Sequence, residues 1–386
     1  MPLIVHATSF MLASAAGAAP FDRNPNIHDV PWEYPTVQLA VQVSSDGDTI
    51  RLAAGTYSEN VNVVSKGVRF TTVGGPVTLT AASDAAIFTV EDTWEGSTVE
   101  FVGINFSGDF PGAPQDLRAI DSNWANIVLA GCSFEDFAPG CGAGQESRSG
   151  GAIDVTGGSI SIYQCEFVDC QASADGGAID STFASIEIDE SQFDRCEAGD
   201  DGGAIRLWGS TAQLTQLGFS LNNADDKGGH IYILGGDTTI SRSEFMWGDA
   251  GVGGAAWCGG FMGDSSEVSA TNCRFGENEG FELGTDVWHH DDFSGPSTMT
   301  WMFCGTQECS GVNYPIYAND FKESCYDCAA DPNEDGTTDV HDLIELLRYW
   351  GDNDPFTDLN WDDTTDSIDL VQLLEAWGGC EPYEVK

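Results

Sequence analysis

Basic residues are scarce in this chain. Only 14 Lys and Arg stand against 62 Asp and Glu in 386 residues, giving a formal net charge of -48. Nucleic acid is excluded as a partner, because binding it needs clustered cations to neutralise phosphates. Beyond the N-terminal stretch there is also no run of 18 or more apolar residues, so no membrane-spanning helix is expected. Disorder is the usual outcome of so much charge of one sign. Here 41% of residues are hydrophobic and 11% aromatic, and the acid is spread along the chain, so a folded protein with room for two domains is expected. Such a surface suits divalent cations or a soluble secreted life.

Residues 1–19 pass from an apolar stretch to Ala16-Gly17-Ala18 and read as a secretory signal peptide, although a basic n-region is lacking. The expected location is therefore secreted, extracellular or cell-surface. Twelve cysteines fit an oxidising compartment. Cys304 and Cys309 bracket a short loop, and Cys325 or Cys328 could pair with Cys380; reduced, buried cysteines are the alternative.

The middle of the chain is a repeat. GGAIDV at 150, GGAIDS at 176, GGAIRL at 202, GGHIYI at 228 and GGAAWC at 253 recur at intervals of 26, 26, 26 and 25 residues. Phe167, Phe193, Phe219 and Phe245 keep step, with Phe134 and Phe275 on longer spacings. Each repeat holds three short strand-like pieces, for example GAIDV, SISIY and CEFVDC. A propeller blade needs about 40 residues, so a 26-residue period fits one turn of a parallel β-helix. Stacked coils then place Ile153, Ile179, Ile205 and Ile231 in one inward file and the Phe series in another. The glycine pairs suit a tight corner or a close backbone approach. Cys170 and Cys196 share a column with Asn222 and are expected to pack rather than form a disulfide. Residues 48–83 read as the first coils, and Val37, Ala40 and Val41 as the buried face of a short capping helix.

The GGAI repeats and the Phe-x-x-Asn pairing of FSLNN (219–223) and FGEN (275–278) resemble those of polymorphic outer-membrane proteins. These lie within the pectate-lyase-like right-handed β-helix superfamily. The resemblance covers residues 30–310 and implies an all-β, right-handed, single-stranded parallel β-helix.

The C-terminal region carries two further copies of a pattern. Asp331, Asn333, Asp335, Thr337, Asp339 and Asp342 occupy positions 1, 3, 5, 7, 9 and 12 of an EF-hand-type calcium loop. Asp358, Asn360, Asp362, Thr364, Asp366 and Asp369 repeat them 27 residues later. Each loop runs into a helix, with Leu343, Ile344, Leu346, Leu347 and Trp350 matched by Leu370, Val371, Leu373, Leu374 and Trp377; packing between the helices is expected to account for most of these. Residues 328–380, joined by a linker at 311–327, resemble a type I dockerin, a small helical calcium-binding domain. The resemblance implies two bound calcium ions and a cohesin-domain protein as partner. Asp363 departs from the pattern, standing where the second loop would carry glycine.

Stacking also predicts two outward files beside the glycines. Asp154, Asp180, Arg206 and Tyr232 follow GGAI, and Asp175, Asp201 and Lys227 precede the glycine pairs. Carboxylates on neighbouring coils would raise each other's pKa or recruit calcium, and Arg206 or Lys227 could take a proton α to a uronate carboxylate. The same residues also make ordinary surface ion-pair ladders. His230 reads as a packed or solvated histidine. His289 and His290, with Asp291 and Asp292, could ligate metal, though adjacent histidines on a strand face opposite sides. Three readings stay open: a tethered binding or display module acting on polysaccharide, a polysaccharide lyase or glycoside hydrolase, and an adhesin or filament subunit.

Overall fold

The computed structural model describes residues 26–83, 85–93, 96–108, 117–138, 148–259, 267–271, 273–276, 278–283, 287–290 and 298–302. Towards the C-terminus it describes 326–327, 330, 332, 337–351, 357, 359, 364–379 and 381–382. The signal-peptide stretch, most of the 311–327 linker, and Cys304, Cys309, Cys325, Cys328 and Cys380 lie outside these residues.

Successive coils pair in parallel from Ile27 to Met302, with the register shifting at Ala53/Gly55 and at Ala250/Val252. Ile153 pairs with Ile179, Ile179 with Ile205 and Ile205 with Ile231, and all four are fully buried. The first face is a nine-stranded sheet running from Val61–Val64 to Val287–His290. The second and third faces merge into one 18-stranded sheet. A fourth row, absent from the three-piece reading of the repeat, consists of pairs such as Gln171–Ala172 and Glu197–Ala198. Two residues are too few for alternation to be visible in sequence.

Each coil satisfies its neighbour's backbone. Ala152, Ala178, Ala204 and His230 donate their N–H groups to the carbonyls of Ala178, Ala204, His230 and Ala255 at 2.9–3.0 Å. The phenylalanines form one continuous stack through Phe106, Phe134, Phe167, Phe193, Phe219, Phe245 and Phe275, with ring centroids 4.6–5.0 Å apart. Phe134 and Phe275 therefore belong to the file despite their longer spacings, and Phe106 extends it upstream.

The open end is closed by helix α1, Val37–Val43, whose Val37, Ala40 and Val41 are buried as expected. Thr36 caps it, and the Glu59 carboxylate accepts from the N–H groups of Val37 and Gln38, tying the cap to the solenoid. All six described cysteines are buried free thiols: Cys132, Cys165, Cys170, Cys196, Cys258 and Cys273.

The two glycines of each pair do different work. Gly150, Gly176, Gly202 and Gly228 take left-handed φ of 62–71° and turn the corner. The second glycine faces the next coil: a Cβ on Gly203 would stand 2.0 Å from the Gly229 carbonyl oxygen. No backbone shift confined to one coil relieves that clash, because the next coil is fixed by the same ladder. Gly203→Ala should therefore destabilise the solenoid by about 3 kcal/mol or more, the upper range for overpacking. Chemical denaturation checks this; an unchanged midpoint would contradict the stacked geometry.

Candidate functional site

The tight GGAI turn brings the residue before the glycines beside the residue after the isoleucine, so the two outward files form a grid. Asp154, Asp180, Arg206, Tyr232 and Trp257 are register neighbours on the first face. Asp201, Lys227 and Val252 are bridged in the adjacent column, and Asp175 Oδ1 accepts from the Asp201 N–H. Both predicted files thus exist and lie together.

Cations punctuate the acid. Arg206 donates to Asp180 Oδ1 at 2.9 Å, stands 3.5 Å from Asp175 Oδ2, and lies 4.4 Å over the Trp208 ring. Lys227 pairs with Asp226, stands 3.5 Å from Asp201 Oδ1 and approaches the Trp257 ring. Arg118 pairs with Asp154, whose upstream register neighbour is Asp121. Tyr232 and Trp257 stack at 4.6 Å and 7°. The Arg206–Asp180 pair is buried, as are Tyr232 and Trp257, whereas the Lys227–Asp226 pair lies at the surface.

Burial governs the titration of the cluster. It pushes the Asp180 carboxyl up to about 7 against the pull of Arg206, with Asp154 and Asp175 adding repulsion. Asp201 also rises to about 7, through burial first and then Asp200, Asp175 and Asp226, opposed by Lys227. Like-charge repulsion, the cause expected from sequence, is secondary. Burial opposes the charge on Arg206, but Asp180 and Asp175 outweigh it and hold the guanidinium protonated. Asp180 beside Arg206 and Asp201 beside Lys227 are each shifted towards neutrality, the direction that suits a carboxyl to proton transfer. One oxygen each from Asp175, Asp200 and Asp201 lies within 4.8 Å of the others, a spacing at which carboxylates can share a cation.

Asp200, Asp226 and Arg118 were missed in the sequence. The doubled acids of GDDGG and ADDKGG signalled the first two. Arg118 precedes a coil whose 33-residue step from Ile120 to Ile153 breaks the period.

Near the C-terminus, helices α2 (Val340–Arg348) and α3 (Ser367–Glu375) begin identically. Asp339 and Asp366 cap them with the same dihedrals, φ -141° and ψ -156°, and Asp342 and Asp369 complete reciprocal capping boxes. Thr337 pairs with Gly379 in a short antiparallel bridge, and Thr364 is exposed. The remaining expected calcium ligands, Asp331, Asn333, Asp335, Asp358, Asn360 and Asp362, lie outside the described residues.

The helix faces depart from expectation. Leu346 and Leu373 are buried, with Leu343 and Leu370 packed beside them. Ile344, Leu347 and Trp350, and their equivalents Val371, Leu374 and Trp377, are instead roughly half exposed. Interhelical packing uses only the first four.

His230 is fully buried inside the solenoid and answers the packed alternative. Asn222 accepts from the Cys196 N–H through Oδ1, so its Nδ2 must donate to His230 Nδ1. The proton therefore sits on Nε2, which donates to Asn278 Oδ1 at 3.1 Å.

No family model matches the chain, and no curated protein matches it. Among solved structures it is similar to ORF18 of Geobacillus virus E2, at 11% identity and a TM-score of 0.30 over 69% of this chain. The chain spans 57% of that protein's length.

His230 makes the solenoid acid-sensitive. Burial pushes its pKa down to about 3, against about 6.5 for a free imidazole, so the neutral ring's stability is complete above pH 6.5 and lost progressively as pH falls towards 3. Thermal melts from pH 7 to 4 should show a steeper decline for the native protein than for His230→Gln. Parallel slopes would contradict this account.

Proposed function

We propose that the chain is a secreted β-helix protein whose dockerin-like C-terminal pair of calcium loops and helices tethers it to a cohesin-bearing scaffold or cell surface. There the solenoid acts as a binding or display module on polysaccharide. The observation that carries this reading is the matched apolar stripe on α2 and α3. Ile344 and Leu347 repeat as Val371 and Leu374 at similar exposure on helices with identical caps, and Trp350 and Trp377 follow two residues beyond each helix. Apolar surface left open in duplicate, on an otherwise very acidic protein, marks a docking face. Calcium would be held by Asp331, Asn333, Asp335, the Thr337 carbonyl, Asp339 and Asp342, and by their six equivalents, where it would relieve the repulsion of converging carboxylates.

The test is capture of the full-length protein on immobilised cohesin modules. Retention in calcium, loss on chelation, and a drop of about thirtyfold in Ile344→Asp/Val371→Asp are expected, the size of a hot-spot loss. Capture that ignores both chelator and the double substitution would reject the reading.

A second reading, a polysaccharide lyase or glycoside hydrolase, is favoured by the near-neutral titration of Asp180 and Asp201 around Arg206. Under it, uronate polymers incubated with the protein and calcium release unsaturated or reducing ends. Asp180→Asn then slows release by about a hundredfold or more, the scale of lost acid–base catalysis, while Arg206, held protonated, acts only as a fixed positive charge. No product across the panel would leave the cluster a structural ion-pair network.

A further inference from the structure

The corner between the first and second faces bears two large exposed rings. Trp124 is 63% exposed and Phe183 57%, although both take left-handed backbone, with φ of 50° and 53°. Bulky residues rarely adopt that conformation. The corner itself does not ask for aromatics: Ser65, Asp92, Gly157, Gly209 and Gly235 take the same left-handed turn on neighbouring coils. Nor do the rings reach the core.

What the neighbouring positions supply is a seat. A Cβ on Gly157 would stand 2.7 Å from the Trp124 indole carbons, and one on Gly209 would stand 2.5 Å from the Phe183 ring. Each ring is thus laid against the glycine of the next coil, which fixes one face and leaves the other to solvent. The coil between Trp124 and Phe183 contributes only Gly157, so the rings are two coils apart. At about 4.8 Å per coil that is roughly 10 Å along the axis, about the length of two units of an extended β-linked glycan.

A polar file runs beside both rings on the second face. Asn126, Ser159, Ser185 and Thr211 are register neighbours, and Ser159 donates to Asn126 Oδ1 at 2.8 Å. Directly after Phe183 this face opens into a shallow groove lined by Ser185, Glu187, Thr211, Gln213, Asp237 and Thr239. Its charges are both negative. In a chain of net charge -48, such a groove repels a polyanion. Hydroxyl and amide groups beside flat apolar rings instead match a sugar chain, with its C–H faces and hydroxyl rim.

We infer that this corner and groove form the solenoid's glycan-binding platform, and that its ligand is an uncharged, extended polysaccharide stacked on Trp124 and Phe183. The inference rests on the polysaccharide part of the function proposed above and is independent of the docking face.

Affinity electrophoresis of the full-length protein, in calcium, through hydroxyethyl cellulose, galactomannan and polygalacturonate tests it. The neutral polymers should retard the protein and polygalacturonate should not. Trp124→Ala and Phe183→Ala should each weaken binding by several-fold to about tenfold, as loss of one stacking ring predicts. Trp124→Tyr and Phe183→Tyr should retain binding, and melting temperatures should stay unchanged because both side chains are exposed. Preference for polygalacturonate, or alanine variants that bind like the native protein, would overturn the platform while leaving polysaccharide binding intact. Retardation by none of the polymers would overturn both.

Discussion

One constraint organises the molecule: the backbone of each coil is closed by the coil that follows, in a register that shifts only at Ala53/Gly55 and Ala250/Val252 among the described strands. Once Ala178, Ala204 and His230 receive the N–H groups of their predecessors, every side chain is fixed above the equivalent one about 4.8 Å away. Like stacks on like. For apolar residues this is favourable without further adjustment, and the phenylalanine file and the isoleucine file follow directly. For glycines it removes choice, since the second glycine of each pair lies where any side chain would enter the adjoining carbonyl.

For charged residues the same register is a liability that has to be managed locally. Asp154 and Asp180 are direct neighbours, as are Asp175 and Asp201 in the next column. The chain relieves them by substitution within the file: Arg206 enters after three acids, Asp121, Asp154 and Asp180, Lys227 follows Asp175 and Asp201, and Arg118 reaches Asp154 from upstream. Where the cations and the stacked Tyr232 and Trp257 shut out water, the remaining carboxyls respond by holding protons more tightly. The unusual chemistry of this face is a consequence of repetition meeting burial.

Much of this was legible because the period is constant. From residue 150 to 256 the spacing alone places the isoleucines, the phenylalanines and both charged files correctly. Legibility failed where local information was thin. The left-handed corners at Trp124, Gln164, Phe183, Glu190 and Leu221 carry residue types that give no hint of positive φ, because there the neighbouring coil imposes the conformation rather than the residue's own preference. The helix faces failed for another reason. A leucine-rich period of 3.6 tells which residues share a side but not which side is covered, so Ile344 and Leu347 look the same in sequence as the buried Leu346.

His230 shows how the register couples distant positions. The column Cys170, Cys196, Asn222 reaches Gly248 and then Asn278, so glycine interrupts a polar ladder in which Asn222 and Asn278 each hold the backbone of the coil before. A Cβ on Gly248 would stand 2.3 Å from the Gly254 carbonyl oxygen and 2.4 Å from His230 Nε2, so backbone and imidazole together fill the room a side chain would need. Its column otherwise holds alanine at 152, 178, 204 and 255. Histidine at 230 and glycine at 248 are thus in direct contact across two columns. The ring spans the gap, accepting from Asn222 on one side and donating to Asn278 on the other.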